Sequence, residues 1–224
     1  MGALLWLAGS TRPDIAFTVS FLSRAISSPT EYHWQLSLRV VAYLSHTRTL
    51  GLTLGGGKER GLHVYSDADW AGCSDTRRSM TGYIAYFHGS PVSWCSRRQR
   101  TVAHSTMEAE YIAAAQATRE IIWLRGLLKE IGLSQVDATT LHIDNQSTIC
   151  LSHNPLSHEK SKHIDIRYHI IRERVENSEI KLAYIPTEKQ RADVFTKALD
   201  GVKHGKAVKA LRLTREGTGK EDYE

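Results

Sequence analysis

The sequence predicts an α/β fold: a five-stranded mixed sheet with flanking helices, preceded by a small helical segment. Three observations carry this expectation. Residues 3–47 read as all-helical. From residue 62 onward, short apolar runs rich in β-branched and aromatic residues alternate with longer helical stretches. The first three of these runs include a hairpin, and strand–helix–strand crossovers follow, so antiparallel and parallel strands must share one helix-covered sheet.

Taken in order, Pro13 in "TRPDIAFTVSFLSRAISSP" suits a first helical turn and Pro29 follows that helix's end. The next helix, "TEYHWQLSLRVVAYLSHT", puts Trp34, Leu38, Val41 and Leu44 on one face. "LGLTLGGGKERG" breaks the pattern and marks a linker at 56–61 after a helical unit at 1–55. "LHVYSDAD" reads as a strand, and "TGYIAYFHGSPVSWCS" as two strands joined at "HGSP". "STMEAEYIAAAQATREIIWLRGLLKEIGL" is a long helix, with Ile121, Ile122, Leu124, Leu128 and Ile131 at helical spacing. "ATTLHID" is a strand running into a short helix, "HIDIRYHIIRERV" a further helix, "EIKLAYIPT" a strand and "EKQRADVFTKAL" a last helix. The sheet domain is expected over 62–200, and 201–224 reads as a basic helix and polar tail.

With 41% hydrophobic and 24% charged residues in 224, the composition is that of an ordinary globular chain. A net charge of +5 permits a nucleic-acid partner without requiring one. Cys73, Cys95 and Cys150 form no CxxC pair and read as free thiols of a reducing compartment. The apolar start "MGALLWLAG" lacks the basic segment of a secretory signal, Trp6 stands where myristoylation needs Ser or Thr, and no run reaches the roughly 20 residues of a membrane span. An intracellular protein without a membrane partner is expected, with cytoplasm and nucleus both open.

Carboxylates provide the chemical signal. Asp67 and Asp144 each end an apolar strand. If those strands are parallel neighbours, about 4.8 Å apart, the two charges repel unless a cation lies between them. Two divalent ions roughly 3.5–4 Å apart fit such a spacing. For Asp144 alone, capping the following helix is an equal reading. On the long helix, Ser105 and Glu108 form a capping-box pattern, with Glu108 reaching back to the Ser105 N–H; this leaves Glu110 to face the sheet edge, ahead of the small Ala113–Ala115. Thr187 and Gln190 repeat the pattern, with Asp193 in the second turn. Asp67, Glu110, Asp144 and Asp193 thus all lie at strand-to-helix transitions.

"YSDADWAG", "STMEAEYIAA", "LHIDNQSTICL", "KHIDIRYHIIRE" and "ADVFTKAL" together resemble the ribonuclease H domain of Copia-type LTR retrotransposon Pol polyproteins. "STRPDIAFTVSFLSRAISSPTEYHWQLSLRVVAYLSHTRTLGLTL" resembles the end of the reverse transcriptase, thumb and connection, of the same polyproteins. The resemblance implies a ribonuclease H-like fold and two Mg²⁺ ions, with Mn²⁺ as a substitute. Asp67 would bridge both ions, Glu110 and Asp144 would complete one site and Asp193 the other. It also implies hydrolysis of the RNA strand of an RNA–DNA hybrid by metal-activated water, with the reverse-transcriptase fingers and palm of a parent polyprotein as a further partner. Glu108 is the alternative to Glu110, and Asp69 is expected to be structural. Gln146 could contact a 2′-OH. Three departures stand out, one being that "LDGVKHGKAVKALRLTREGTGKEDYE", the basic helix and polar tail, matches the family poorly. The aromatic-x-Asp-Asp loop of a polymerase is missing, so polymerisation is not expected. The loop "IPTEKQRAD" lacks the histidine that many ribonucleases H carry before the last aspartate.

Arg97, Arg98 and Arg100 follow the third strand and suit phosphate contacts. His153, His158, His163 and His169 match no zinc spacing; with Lys160, Lys162, Arg167, Arg172 and Arg174 they read as a basic face near nucleic acid, or as a solvated helix face paired with Asp165, Glu173 and Glu176. Trp70 and Trp94 read as core residues. Two rival functions remain. One is a catalytically inactive remnant that binds nucleic acid or protein. The other is a transposase or integrase, which the Asp, Glu, Asp, Asp order along the chain disfavours.

Overall fold

The computed structural model describes residues 1–57, 59–73, 76–153 and 162–215. Its elements are α1 (Gly2–Ser10), α2 (Ala16–Ser23), α3 (Glu31–His46), β1 (Leu50–Leu52), β2 (Leu62–Asp69), β3 (Met80–Phe87), β4 (Ser90–Arg98), α4 (Thr106–Glu130), β5 (Thr139–Ile143), α5 (Gln146–His153), α6 (Lys162–Glu176), β6 (Ile180–Tyr184), α7 (Gly201–Ala210) and β7 (Leu213–Arg215). Single 3₁₀ turns occupy Pro13–Ile15, Thr187–Lys189 and Asp193–Phe195. The chain divides into two compact units: Gly56–Lys197, and Met1–Gly55 together with the segment from Ala198 onward. Among the described residues no helix is long and apolar enough to cross a membrane.

The larger unit is built on a five-stranded sheet of order β4-β3-β2-β5-β6. β2, β3 and β4 pair antiparallel, whereas β5 lies parallel to both β2 and β6. This is the mixed sheet expected from the order of the runs. His88 and Gly89 both take positive φ, 49° and 71°, which closes β3 onto β4 in a two-residue turn. Alternation along the strands creates two different faces. Leu62, Val64, Tyr83, Ala85, Leu141 and Ile143 face α4, which answers with Ala114, Ala117, Ile121, Leu124 and Leu128. Ala113, Ala114 and Ala115 are all buried, so α4 approaches the sheet closely at its amino-terminal half. Ile131, expected on the same stripe, is exposed, because the helix ends at Glu130.

The opposite face carries Tyr65, Tyr86 and His142, with His142 stacked on Tyr65 at 4.5 Å and Tyr86 edge-on to it. Over it lies the segment 187–197. Expectation and structure differ here, since this stretch is two 3₁₀ turns and not a helix. Its backbone is held down from many sides, which leaves no regular ladder to propagate. Gln190 Nε2 donates to Ser66 O at 2.9 Å while its Oε1 accepts from Ala192 N at 3.1 Å. Ser96 Oγ donates to Phe195 O at 2.6 Å. The Arg191 guanidinium lies 4.8 and 4.9 Å from the rings of Tyr65 and Tyr86 and pairs with Glu59 at 2.9 Å. Gln190 therefore does not complete a capping box, and Thr187 is engaged elsewhere.

The smaller unit gathers its helices around a buried Arg12–Asp14 pair at 2.8 Å. Tyr43 Oη donates to Asp14 at 2.6 Å, and Arg12 Nη2 donates to Thr47 Oγ1 at 2.8 Å. α3 is thus anchored through its carboxyl end. It buries Val40, whereas Trp34, Leu38 and Val41, which share one apolar face, are exposed. β7 pairs antiparallel with β1. The carboxyl segment is therefore a helix and a strand of this unit, where the sequence suggested a helix and a polar tail; 216–224 lies outside the described residues.

Gly82 is the close-approach point beneath the 187–197 segment. A Cβ there would lie 2.7 Å from Thr196 Cγ2, 2.8 Å from the Phe195 Cβ and 3.0 Å from Ala192 O. Gly82→Ala should therefore cost about 1–3 kcal/mol, as overpacking does, seen as a lower urea midpoint with an unchanged slope. An unchanged midpoint would mean that the segment is free to lift.

Candidate active site

Asp67 sits two residues from the end of β2, opposite Gly82 of β3. The parallel ladder between β2 and β5 includes Tyr65↔His142, and the same register carried two residues on brings Asp144 opposite Asp67. Asn145, and not Asp144, caps α5: its Oδ1 accepts from Thr148 N at 3.0 Å. Asp144 is thereby released from the capping role and turns to the site, where its Oδ2 accepts from Thr187 Oγ1 at 3.0 Å.

Glu110 arrives from the first turns of α4. Ser105 caps this helix, accepting from Glu108 N at 3.1 Å. Glu108 returns the favour one residue earlier than expected, accepting from His104 N at 2.7 Å and not from Ser105. With Glu108 so engaged, Glu110 is 6% exposed and accepts from Ala68 N at 3.2 Å through Oε1, while Oε2 is buried without a hydrogen-bond partner.

Asp67, Glu110 and Asp144 each present a carboxylate oxygen, all within 4.8 Å of one another. Asp193 stands beside this trio and outside it. It begins the last 3₁₀ turn, and its Oδ1 is 2.9 Å from Lys197 Nζ, which is also 3.9 Å from Asp67 Oδ2. Thr196 Oγ1 donates a short hydrogen bond to the same Asp67 oxygen. Thr196 and Lys197 are site neighbours that the sequence reading did not single out, and Thr187, read there only as a helix cap, is a third. Lys197 had a signal, since it lies four residues beyond Asp193 in "DVFTK". The two threonines had none, because long-range packing brings them in.

Burial raises the Asp67 carboxyl to about 7, offset by Lys197 and Thr196 and reinforced by Asp193 and Asp144. Burial, then Asp67 and Asp144, raise Glu110 to about 9. Asp144 is raised too, chiefly by burial, with the Thr187 hydrogen bond opposing. A buried cluster of hard oxygen donors, too close to ionise together and with one oxygen unpartnered, has the donor chemistry of a Mg²⁺ or Mn²⁺ site.

The remaining expected residues fall around this edge. Arg97 and Arg98 end β4, where Arg98 pairs with Met80, itself opposite Asp69. Arg97 and Arg100 are exposed, and Arg98 Nη1 lies 3.8 Å from Cys73 Sγ. Gln146 is exposed at the start of α5. Trp70 is not a core residue: it is 42% exposed, its indole N–H donating to Ala103 O at 3.1 Å, and Trp94 is only partly buried. His158 and Lys160, and the side chains of His153, Lys162, His163 and Arg167, lie outside the described residues.

No protein-family model matches the chain. Over 199 residues, 89% of its length, it is 43% identical to the Retrovirus-related Pol polyprotein from transposon TNT 1-94 of Nicotiana tabacum. The chain belongs to the Copia-type retrotransposon Pol family. It spans 15% of that relative's length. It is also 47% identical over 124 residues to Secreted RxLR effector protein 161 of Plasmopara viticola, a match covering 55% of this chain and 87% of that one. Among solved structures, LC11-RNase H1, isolated from compost, is 18% identical, covering 67% of this chain and 99% of that chain at a TM-score of 0.46. The sheet order β4-β3-β2-β5-β6 of this Pol segment is the five-stranded mixed sheet expected from its sequence.

The raised carboxyls fix the sign of a pH effect. Folded protein holds protons that the unfolded chain loses near pH 4, so metal-free stability falls as pH rises through about 7 and then about 9. Glu110→Gln, neutral throughout, should melt above the parent at pH 8 in chelator, by a few degrees, with the gap closing towards pH 4. Melting curves across that range check this, and parallel pH profiles would contradict it.

Proposed function

We propose that the sheet-bearing unit is a divalent-metal-dependent endonuclease that cleaves the RNA strand of RNA–DNA hybrids. The observation that carries this reading is the trio Asp67, Glu110 and Asp144, within 4.8 Å of one another, with Asp67 and Glu110 buried, Asp144 partly buried and Glu110 Oε2 unpartnered. Family membership supports the nuclease kind; polymerisation is not part of the proposal, since the aromatic-x-Asp-Asp loop is missing from the sequence. Residues 1–55 correspond in this reading to the end of a reverse transcriptase, whose fingers and palm would complete a parent polyprotein.

Asp67, Glu110 and Asp144 would hold one Mg²⁺, and Asp67 with Asp193 a second, Mn²⁺ serving as substitute. When bound, the ions would activate water and stabilise the charge that develops on the scissile phosphate. The chain's own residues would do the rest. Thr187 and Thr196 hold the Asp144 and Asp67 carboxylates in place through hydrogen bonds. Arg97, Arg98 and Arg100 would grip phosphates at the same sheet edge, giving affinity without reading sequence. Gln146, exposed two residues past Asp144, would contact a 2′-OH and so favour RNA over DNA.

The test is cleavage of a labelled RNA–DNA hybrid. Asp67→Asn should abolish the Mg²⁺-dependent activity and leave salt-sensitive hybrid binding intact. Glu108→Ala should keep the activity while costing about 1 kcal/mol of stability, the usual loss of a helix cap. Cleavage that survives Asp67→Asn or excess chelator would refute the assignment. Hybrid binding with no cleavage by the unaltered chain would favour an inactive remnant.

A further inference from the structure

One cation faces four carboxylates. Among the described residues, Lys197 is the side chain whose ion pairs reach this cluster, at 2.9 Å from Asp193 Oδ1 and 3.9 Å from Asp67 Oδ2. Its side chain is 38% exposed, whereas that of Asp67 is 4% exposed. The ammonium is therefore at the mouth of the site and the carboxylate at its floor. Among the described residues no ion pair reaches the other side: Glu110 and Asp144 have hydrogen bonds from Ala68 N and Thr187 Oγ1. The two halves of the cluster are thus unequal. One carries its own positive charge, and the other does not.

Position and chemistry make that charge replaceable. Lys197 follows Thr196 and Phe195 on the segment that Gln190, Arg191 and Ser96 fasten to the sheet, so its backbone is fixed while its four-carbon stem is not. A single ammonium cannot neutralise both Asp67 and Asp193. A divalent ion bound directly by both would need their oxygens at about 2.0–2.1 Å, and the Asp193 oxygen is the one that Lys197 occupies. Because the side chain is 38% exposed, the ammonium can move into water without opening the core.

Resting on the metal-site reading above, we infer that Lys197 is a built-in counter-ion that occupies the Asp67–Asp193 half of the site and must leave before a second divalent ion binds there. The Asp67–Glu110–Asp144 half fills without competition. The two ions consequently bind with unequal affinity, and Lys197 sets the difference. It is a positioning residue for the carboxylates and a threshold for the second ion.

The experiment is calorimetric titration of Mn²⁺ into the chelator-stripped full chain, with melting curves on the same samples. The unaltered protein should show one tighter and one weaker event. Lys197→Met should tighten the weaker event by about tenfold, the equivalent of one pKa unit of differential interaction, leave the tighter event nearly unchanged and lower the metal-free melting temperature. Lys197→Arg should behave like the parent, and Lys197→Gln serves if the methionine variant misfolds. An unchanged or weakened second event in the neutral variants would overturn the counter-ion role while leaving the metal site standing. Absence of any Mn²⁺ binding by the parent would overturn both.

Discussion

Carboxylates crowded at a partly buried sheet edge repel one another, and much of the larger unit's architecture bears on that repulsion. Asp67, Glu110 and Asp144 meet within 4.8 Å. Asp67 and Asp144 are brought together by parallel pairing of β2 with β5, a register that alanine-rich packing of α4 leaves undisturbed. Glu110 is aimed at them because Ser105 and Glu108 use their own side chains to close the helix end. The segment 187–197 then lays Thr187, Thr196 and Lys197 against the cluster, giving it two hydroxyl donors and one positive charge. This neutralisation is incomplete, since one ammonium faces four carboxylates among the described residues, and burial first, with the neighbouring carboxylates, raises Asp67, Glu110 and Asp144. Such a pocket is cheapest to ionise around a cation.

Local signals made much of this legible from sequence. The two apolar runs ending in Asp67 and Asp144 announced strand ends, and the Ser105–Glu108 spacing separated the capping glutamate from the free one. What the sequence did not reveal depends on contacts distant along the chain. "PTEKQRADVFTKAL" has helical spacing, yet Gln190 bonds to Ser66 and Arg191 lies over Tyr65 and Tyr86, and these links hold it as 3₁₀ turns. Thr187 suits a helix cap until Asp144, 43 residues away, is found to take its hydroxyl. Trp70 has the side chain of a core residue but sits beyond the end of β2, 42% exposed, with its indole N–H donating to Ala103 O.

The smaller unit shows the complementary case. Periodicity in "EYHWQLSLRVVAYLSH" located α3 and grouped Trp34, Leu38 and Val41 on one face, but that face is not the buried one, because the helix is tied down by polar contacts. Tyr43 and Thr47 join the buried Arg12–Asp14 pair, and the rotation this imposes leaves Trp34, Leu38 and Val41 in solvent. An apolar stripe reports a preference for burial; which surface satisfies it depends on the specific anchors nearby. The β1–β7 pairing is similarly non-local, joining residues on either side of the entire sheet-bearing unit in sequence.

The central claim is that the three carboxylates form a cation site. Crystals of the full chain soaked in millimolar Mn²⁺, with anomalous difference maps at the manganese edge, test it most directly. The account predicts a peak bonded to oxygens of Asp67, Glu110 and Asp144 at about the 2.0–2.2 Å expected of a small hard divalent ion. A map without density there, while the three side chains keep their places around an unfilled centre, would contradict it.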